Sequence, residues 1–155
     1  MDESINHCLL SRKLPQLNNG TLLLSFSGWM DGGEASTGTV KRFIDQLEAE
    51  QFAEIDPEPF YIFNVPGSME ISALFRPAID IENGLVQSIE MPENLLYLAE
   101  SSNLLLFTGR EPNLKWRTFG DTIIEIAKHT GVKRLMFVGS FGGGVPHTRE
   151  PKMHV

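Results

Sequence analysis

The chain has 155 residues, 41% of them hydrophobic and 21% charged, which is the makeup of one globular domain rather than a disulfide-stapled miniprotein, a collagen or a disordered tail. Thirteen Lys and Arg against twenty Asp and Glu leave a formal charge of −7, which argues against nucleic acid as a partner because that binding draws on a basic surface. Cys8 is the only cysteine, the N-terminus opens acidic with no apolar leader core, and no apolar run reaches membrane-spanning length; a cytoplasmic protein without a membrane partner is expected.

Residues 1–20, with Pro15 and the Asn18-Asn19-Gly20 turn signal, predict an N-terminal arm leading into a domain over 21–155. Thr21 to Ser27 is a short apolar run with too little alternation for a half-exposed strand, so it predicts a central parallel strand covered on both faces. Gly28 stops it, and Val40, Phe43, Ile44 and Leu47 then share one face of a helix over Glu34 to Leu47. After the Asp56-Pro57-Glu58-Pro59 break, the aromatic and branched run Phe60 to Val65 predicts a second strand. Ile71, Leu74 and Phe75 fit one helical face ahead of Arg76-Pro77, and Leu85 to Glu90 with Asn94 to Leu98 predict two short antiparallel strands around Pro92. Asn103 to Thr108 repeats the buried-strand pattern. A helix from Leu114 to His129 places Trp116, Phe119, Ile123, Ile126 and Ala127 on one face, and the last strand is Arg134 to Gly139. The expected class is α/β, an open, mostly parallel sheet with flanking helices. Because the chain ends soon after a strand without a further periodic element, it is expected to be a piece of a longer protein.

In open α/β sheets ligands bind beyond the carboxyl ends of the strands. Three glycine turns are expected there: Gly28-Trp29-Met30-Asp31-Gly32-Gly33, Gly109-Arg110-Glu111-Pro112, and Gly139 to Gly144 followed by Val145-Pro146-His147-Thr148-Arg149. Asp31, Glu111, His147 and Arg149 are the polar candidates, with carboxylates for proton transfer or hydrogen bonding and a histidine for acid–base work near neutrality. Against them stand plainer roles: Asp31 as a helix cap, Glu111 as a turn-fixing neighbour of Pro112, and His147 and Arg149 as exposed loop or oligomer contacts. Backbone donors at the first glycine turn suit an anion, yet no Walker loop, no G-x-G-x-x-G and no G-x-S-x-G is present, and the four histidines lack a metal-site spacing. No cofactor and no metal is expected. Trp116 reads as core, whereas Trp29, in a turn, is placed to close a pocket or fill a protein interface.

Taken in order, Gly28-Trp29-Met30-Asp31-Gly32-Gly33-Glu34-Ala35, Phe60-Tyr61, Arg76-Pro77, Met91-Pro92-Glu93-Asn94, Thr108-Gly109-Arg110-Glu111-Pro112 with Trp116 and Phe119, and Gly139 with Val145-Pro146-His147-Thr148-Arg149 resemble the PAC2 family of proteasome assembly chaperone 2-like proteins. The resemblance covers residues 21–149. It implies a fold like that of the nucleoside phosphorylases, with homo-oligomers common, and a noncatalytic protein-binding or assembly-chaperone role toward a protein client. Some members carry an ATP-grasp or carboligase label, so a small-molecule or nucleotide-binding enzyme is the alternative. The resemblance supplies no catalytic residues; Gly28, Trp29, Asp31, Gly32, Gly33, Gly109, Glu111, Gly139, His147 and Arg149 stand as ligand or interface candidates.

Overall fold

Strands form where the sequence is most continuously apolar, and in the computed structural model, which describes residues 5–144, 146 and 148–150, the central one is β2 (Gly20–Ser27). Ahead of it lies β1 (Cys8–Leu10); behind it follow α1 (Ala35–Gln46), β3 (Glu50–Ile55), α2 (Met69–Ala73), β4 (Ala78–Glu82), β5 (Leu85–Glu90), β6 (Leu95–Ala99), β7 (Leu104–Arg110), α3 (Trp116–His129) and β8 (Val132–Val138). Six strands make one sheet in the order β1-β3-β6-β7-β2-β8, while β4 and β5 form a separate two-stranded sheet.

The class is α/β, but the expectation of a mostly parallel sheet is corrected. Only β2 with β7 and β2 with β8 run parallel; β1 with β3, β3 with β6, β6 with β7, and β4 with β5 are antiparallel. For β6 with β7 the reason is link length. Only residues 100–103 separate β6 from β7, a tight turn ending in Asn103 at φ 53°, and a parallel neighbour needs a crossover of a dozen residues or more. The predicted strand over Phe60–Val65 is also absent. Its place in the sheet belongs to β3, and the backbone of the segment is satisfied outside any ladder: the Asn113 and Leu114 amides donate to the Phe60 carbonyl at 2.9 and 3.0 Å, and the Ile62 amide donates to Asn113 Oδ1 at 3.2 Å. Likewise β5 pairs with β4 across Asn83-Gly84, both at positive φ as a type I′ hairpin turn requires, not with β6 around Pro92.

Adjacent strand residues point to opposite faces, so the register Leu22↔Leu105 and Leu23↔Leu106 defines two cores. Leu22, Leu105 and Phe107 join Phe119, Ile123 and Ile126 of α3, with Phe52, Ile55, Phe60 and Leu96. Leu23 and Leu106 join Val40 and Ile44 of α1 on the other side. Trp116 is not core: it is 57% exposed, and Phe60 closes the helix end instead, meeting the Phe119 ring edge-on at a centroid distance of 4.9 Å. At the far edge, β8 leaves Leu135, Met136 and Phe137 about half exposed.

Candidate functional site

The parallel trio β7-β2-β8 carries the three glycine turns to one rim. Residues Ser27, Phe26 and Ser25 lie opposite Arg110, Gly109 and Thr108, and Ser25 lies opposite Val138, so Gly28, Glu111 and Gly139 follow neighbouring strand ends. An Asp31↔Ser140 bridge joins the first and last turns; the Ser140 amide donates to the Met30 carbonyl at 2.8 Å, and the Gly32 amide donates to the Ser140 carbonyl at 3.2 Å. Gly32 and Gly33 form the short helical turn leading into α1, whose Ser36 hydroxyl donates to the Val138 carbonyl.

The two carboxylates of the rim are both engaged. Asp31 Oδ1 accepts from the Ser36 and Thr37 amides at 2.8 and 3.0 Å, and Oδ2 accepts from the Thr37 hydroxyl at 2.6 Å. These amides belong to the first turn of α1, which otherwise lacks partners and carries the positive end of the helix dipole. Glu111 accepts from the Trp29 amide at 3.1 Å and from the Met30 amide at 3.3 Å, while its own amide donates to the Ser27 carbonyl at 3.0 Å. Gly28 permits this approach: its φ is 139°, and a Cβ there would stand 2.8 Å from a Glu111 carboxylate oxygen. Of the backbone donors in the first glycine turn, the Trp29 and Met30 amides are therefore taken by Glu111, and the Asp31 and Gly32 amides by the Gly28 and Ser140 carbonyls. Trp29, between the two anchors, is left 86% exposed.

Beside the rim opens a cleft of about 640 Å³, lined by Asp31, Thr37 and Lys41 at the start of α1, by Tyr61, by Thr108, Gly109 and Arg110 at the end of β7, and by Arg76 and Glu90. Of the candidates, Asp31 and Gly109 line it. Glu111 and Gly139 lie on the rim outside it, Arg149 is exposed with its amide donating to the Pro146 carbonyl, and His147 falls outside the described residues. The two acid candidates are thus not gathered around one pocket. Lys41, Arg76 and Arg110 share the lining with the carboxylates Asp31, Glu34, Asp45, Glu90 and Glu93, so acids outnumber bases in the cleft, and none of the three bases forms an ion pair among the described residues.

Sequence reasoning missed Thr37, Lys41 and Tyr61. Thr37 and Lys41 are four residues apart on α1, a spacing that marks them as neighbours on one helix face. The Tyr61 hydroxyl lies 2.6 Å from both Asn94 Oδ1 and the Arg110 carbonyl, and burial pushes its phenol up to about 12, partly offset by the Asn94 hydrogen bond and the Arg110 charge. Its role is to tie the segment after Pro59 to the end of β7. No cluster of metal-binding side chains occurs among the described residues, and no helix there is long and apolar enough to cross a membrane.

Residues 25–155 match the sequence model of the PAC2 family. No curated protein matches the chain. Among solved structures, it is similar to a Mycobacterium tuberculosis proteasome-assembly chaperone homologue (26% identity, TM-score 0.70, covering 83% of this chain and 52% of that one) and to a PAC2 family protein from Streptomyces avermitilis (26% identity, TM-score 0.65, 84% and 53%). A Corynebacterium glutamicum protein of unknown function shares the fold at 20% identity and TM-score 0.71, covering 92% of this chain and 53% of that one. The chain spans about half the length of these solved relatives.

Proposed function

The chain belongs to the PAC2 family, and from that premise we propose that it is a noncatalytic protein-binding module of the assembly-chaperone kind, meeting its partner through the loop that carries Trp29. The observation that supports this most is the division of labour on the rim. Asp31 and Glu111, the acids that chemistry would have used, are committed to backbone donors, while the largest apolar side chain on the loop is left in solvent on a braced backbone. A rigid, exposed tryptophan binds at low ordering cost, which is why such residues dominate interface energetics. Phe141, also largely exposed, sits on the neighbouring turn, whose backbone packs against Gly32. The proposed setting is a reducing cytoplasm, in keeping with a lone Cys8 whose thiol burial pushes up to about 11, and the partner is either a protein client or further copies of the chain.

The test is a photo-crosslinking amino acid at position 29 of the full-length protein in its native cell. An adduct with a defined protein, lost when the crosslinker is moved to exposed Lys128 on α3, supports the proposal; absence of any protein adduct overturns it. The cleft carries a second reading, a binder of small molecules, in which Lys41, Arg76 and Arg110 among the lining acids supply contacts of both charges. Selective thermal stabilisation by nucleotides, nucleosides or phosphate, lost in Arg110→Ala, would support that reading instead.

A further inference from the structure

The β4–β5 hairpin lies outside the Trp29 rim and is independent of the reading given for it. Every residue of both strands is exposed, and the two-stranded sheet pairs with nothing else among the described residues. Its register sorts the side chains. Ile79 opposite Ile89 and Ile81 opposite Val86 make one face wholly apolar, with each of these residues between 54% and 60% exposed. Asp80 opposite Ser88, Glu82 opposite Leu85 and Ala78 opposite Glu90 make the other face acidic. At the hairpin's root Ala78 and Glu90 line the cleft beside Pro77 and Met91, and the rest of both strands projects beyond it. Residues 77–100 contain no Lys, Arg or His to balance the acids.

The two edges of the hairpin differ. Between Asp80 and Ile81 the register jumps from Ser88 to Val86, so Gln87 is an extra residue that bulges β5 and blunts its edge. The outer edge of β4 carries no such interruption, and its run Ile79-Asp80-Ile81-Glu82 alternates apolar and acidic without a break. We infer that the outer edge of β4 is a docking edge for an extended protein segment alternating apolar and basic side chains. Such a segment adds a third strand: its apolar residues continue the Ile79–Ile81 row, and its Lys or Arg residues fall beside Asp80 and Glu82 on the opposite face. A second copy of this chain is the poorer occupant. Pairing β4 with β4 sets Asp80 and Glu82 against the same acids of the other copy, in a chain that already carries −7. A two-stranded hairpin is marginal alone, and a third strand is what such a sheet lacks.

The probe is a short peptide of alternating valine and lysine, titrated against the full chain by fluorescence anisotropy, with hydrogen exchange of the β4 amides as the structural readout. Binding is expected together with slowed exchange at Ile79 to Glu82, and an otherwise identical valine–glutamate peptide does not bind. Asp80→Lys with Glu82→Lys weakens the lysine peptide by about tenfold, whereas Asp121→Lys with Glu125→Lys on α3, the same change in net charge, weakens it far less. Should the lysine variants fail to keep the hairpin, Asp80→Asn with Glu82→Gln serves in their place and still weakens binding severalfold. The inference is overturned by no binding at millimolar peptide, by equal binding of both peptides, by equal loss in the two charge-reversal pairs, by protection appearing on β8 or β1 instead, or by concentration-dependent self-association protecting β4 without peptide.

Discussion

The glycine rim and the β4–β5 hairpin are both built at the surface from turns, yet they are held together by opposite means. On the rim, side chains from distant parts of the chain take up the backbone donors, and Trp29 and Glu111 lie 82 positions apart. In the hairpin, stability comes from a local ladder and an Asn83-Gly84 turn, with no residue buried. The contrast separates two ways of presenting apolar surface: a single ring on a braced loop, and a row of branched side chains on an adaptable strand pair. Rim positions should therefore respond to single substitutions that remove a carboxylate, and hairpin positions should not.

Asp31→Ala is expected to have the largest effect, since it strips the first turn of α1 of all three contacts that the carboxylate supplies; chemical denaturation should show a loss of roughly 2–3 kcal/mol. Asp31→Asn, which retains one acceptor, should lose less. Tyr61→Phe comes next, at about 1–2 kcal/mol near neutral pH, because it leaves the buried Asn94 short of a partner. Its pH dependence has a definite sign. Burial raises the phenol from 10.0 to about 12, so the folded chain keeps a proton that the unfolded chain loses; that stability is whole below about pH 10 and disappears as pH rises toward 12. Tyr97, also raised by burial, is the only other tyrosine, so the comparison is made in a Tyr97→Phe background, where absorbance should show the remaining phenol ionising near 12. Ile81→Ser should have the smallest effect, shifting global stability by under ~0.5 kcal/mol, and amide exchange should find β4 and β5 opening more readily than β2 or β7.

What the sequence disclosed follows the same division between local and distant causes. Apolar runs and helical spacing revealed β2, β7, β8, α1 and α3, whose signals reside in their own residues. Phe60 to Val65 misled because its composition is that of a strand, whereas its backbone partners, Asn113 and Leu114, come from a remote loop. Glu50 to Ile55 went unread because two glutamates and a glutamine dilute its apolar pattern, although Phe52, Ala53 and Ile55 are buried. The antiparallel half of the sheet was nonetheless signalled by Glu100-Ser101-Ser102-Asn103, a link too short for a crossover. On the rim, Asp31's capping role could be weighed from its position six residues before Thr37; nothing near Glu111 in sequence announces that its carboxylate holds Trp29.

The account is tested most directly by thermal unfolding of Trp29→Ala beside Glu111→Ala. It predicts that removing the exposed ring leaves the midpoint within a degree or so, whereas removing the carboxylate lowers it by several degrees, as loss of two backbone contacts in a 155-residue chain requires. A large loss for Trp29→Ala with none for Glu111→Ala would contradict it, since the tryptophan would then be a structural side chain and the glutamate one free for other work.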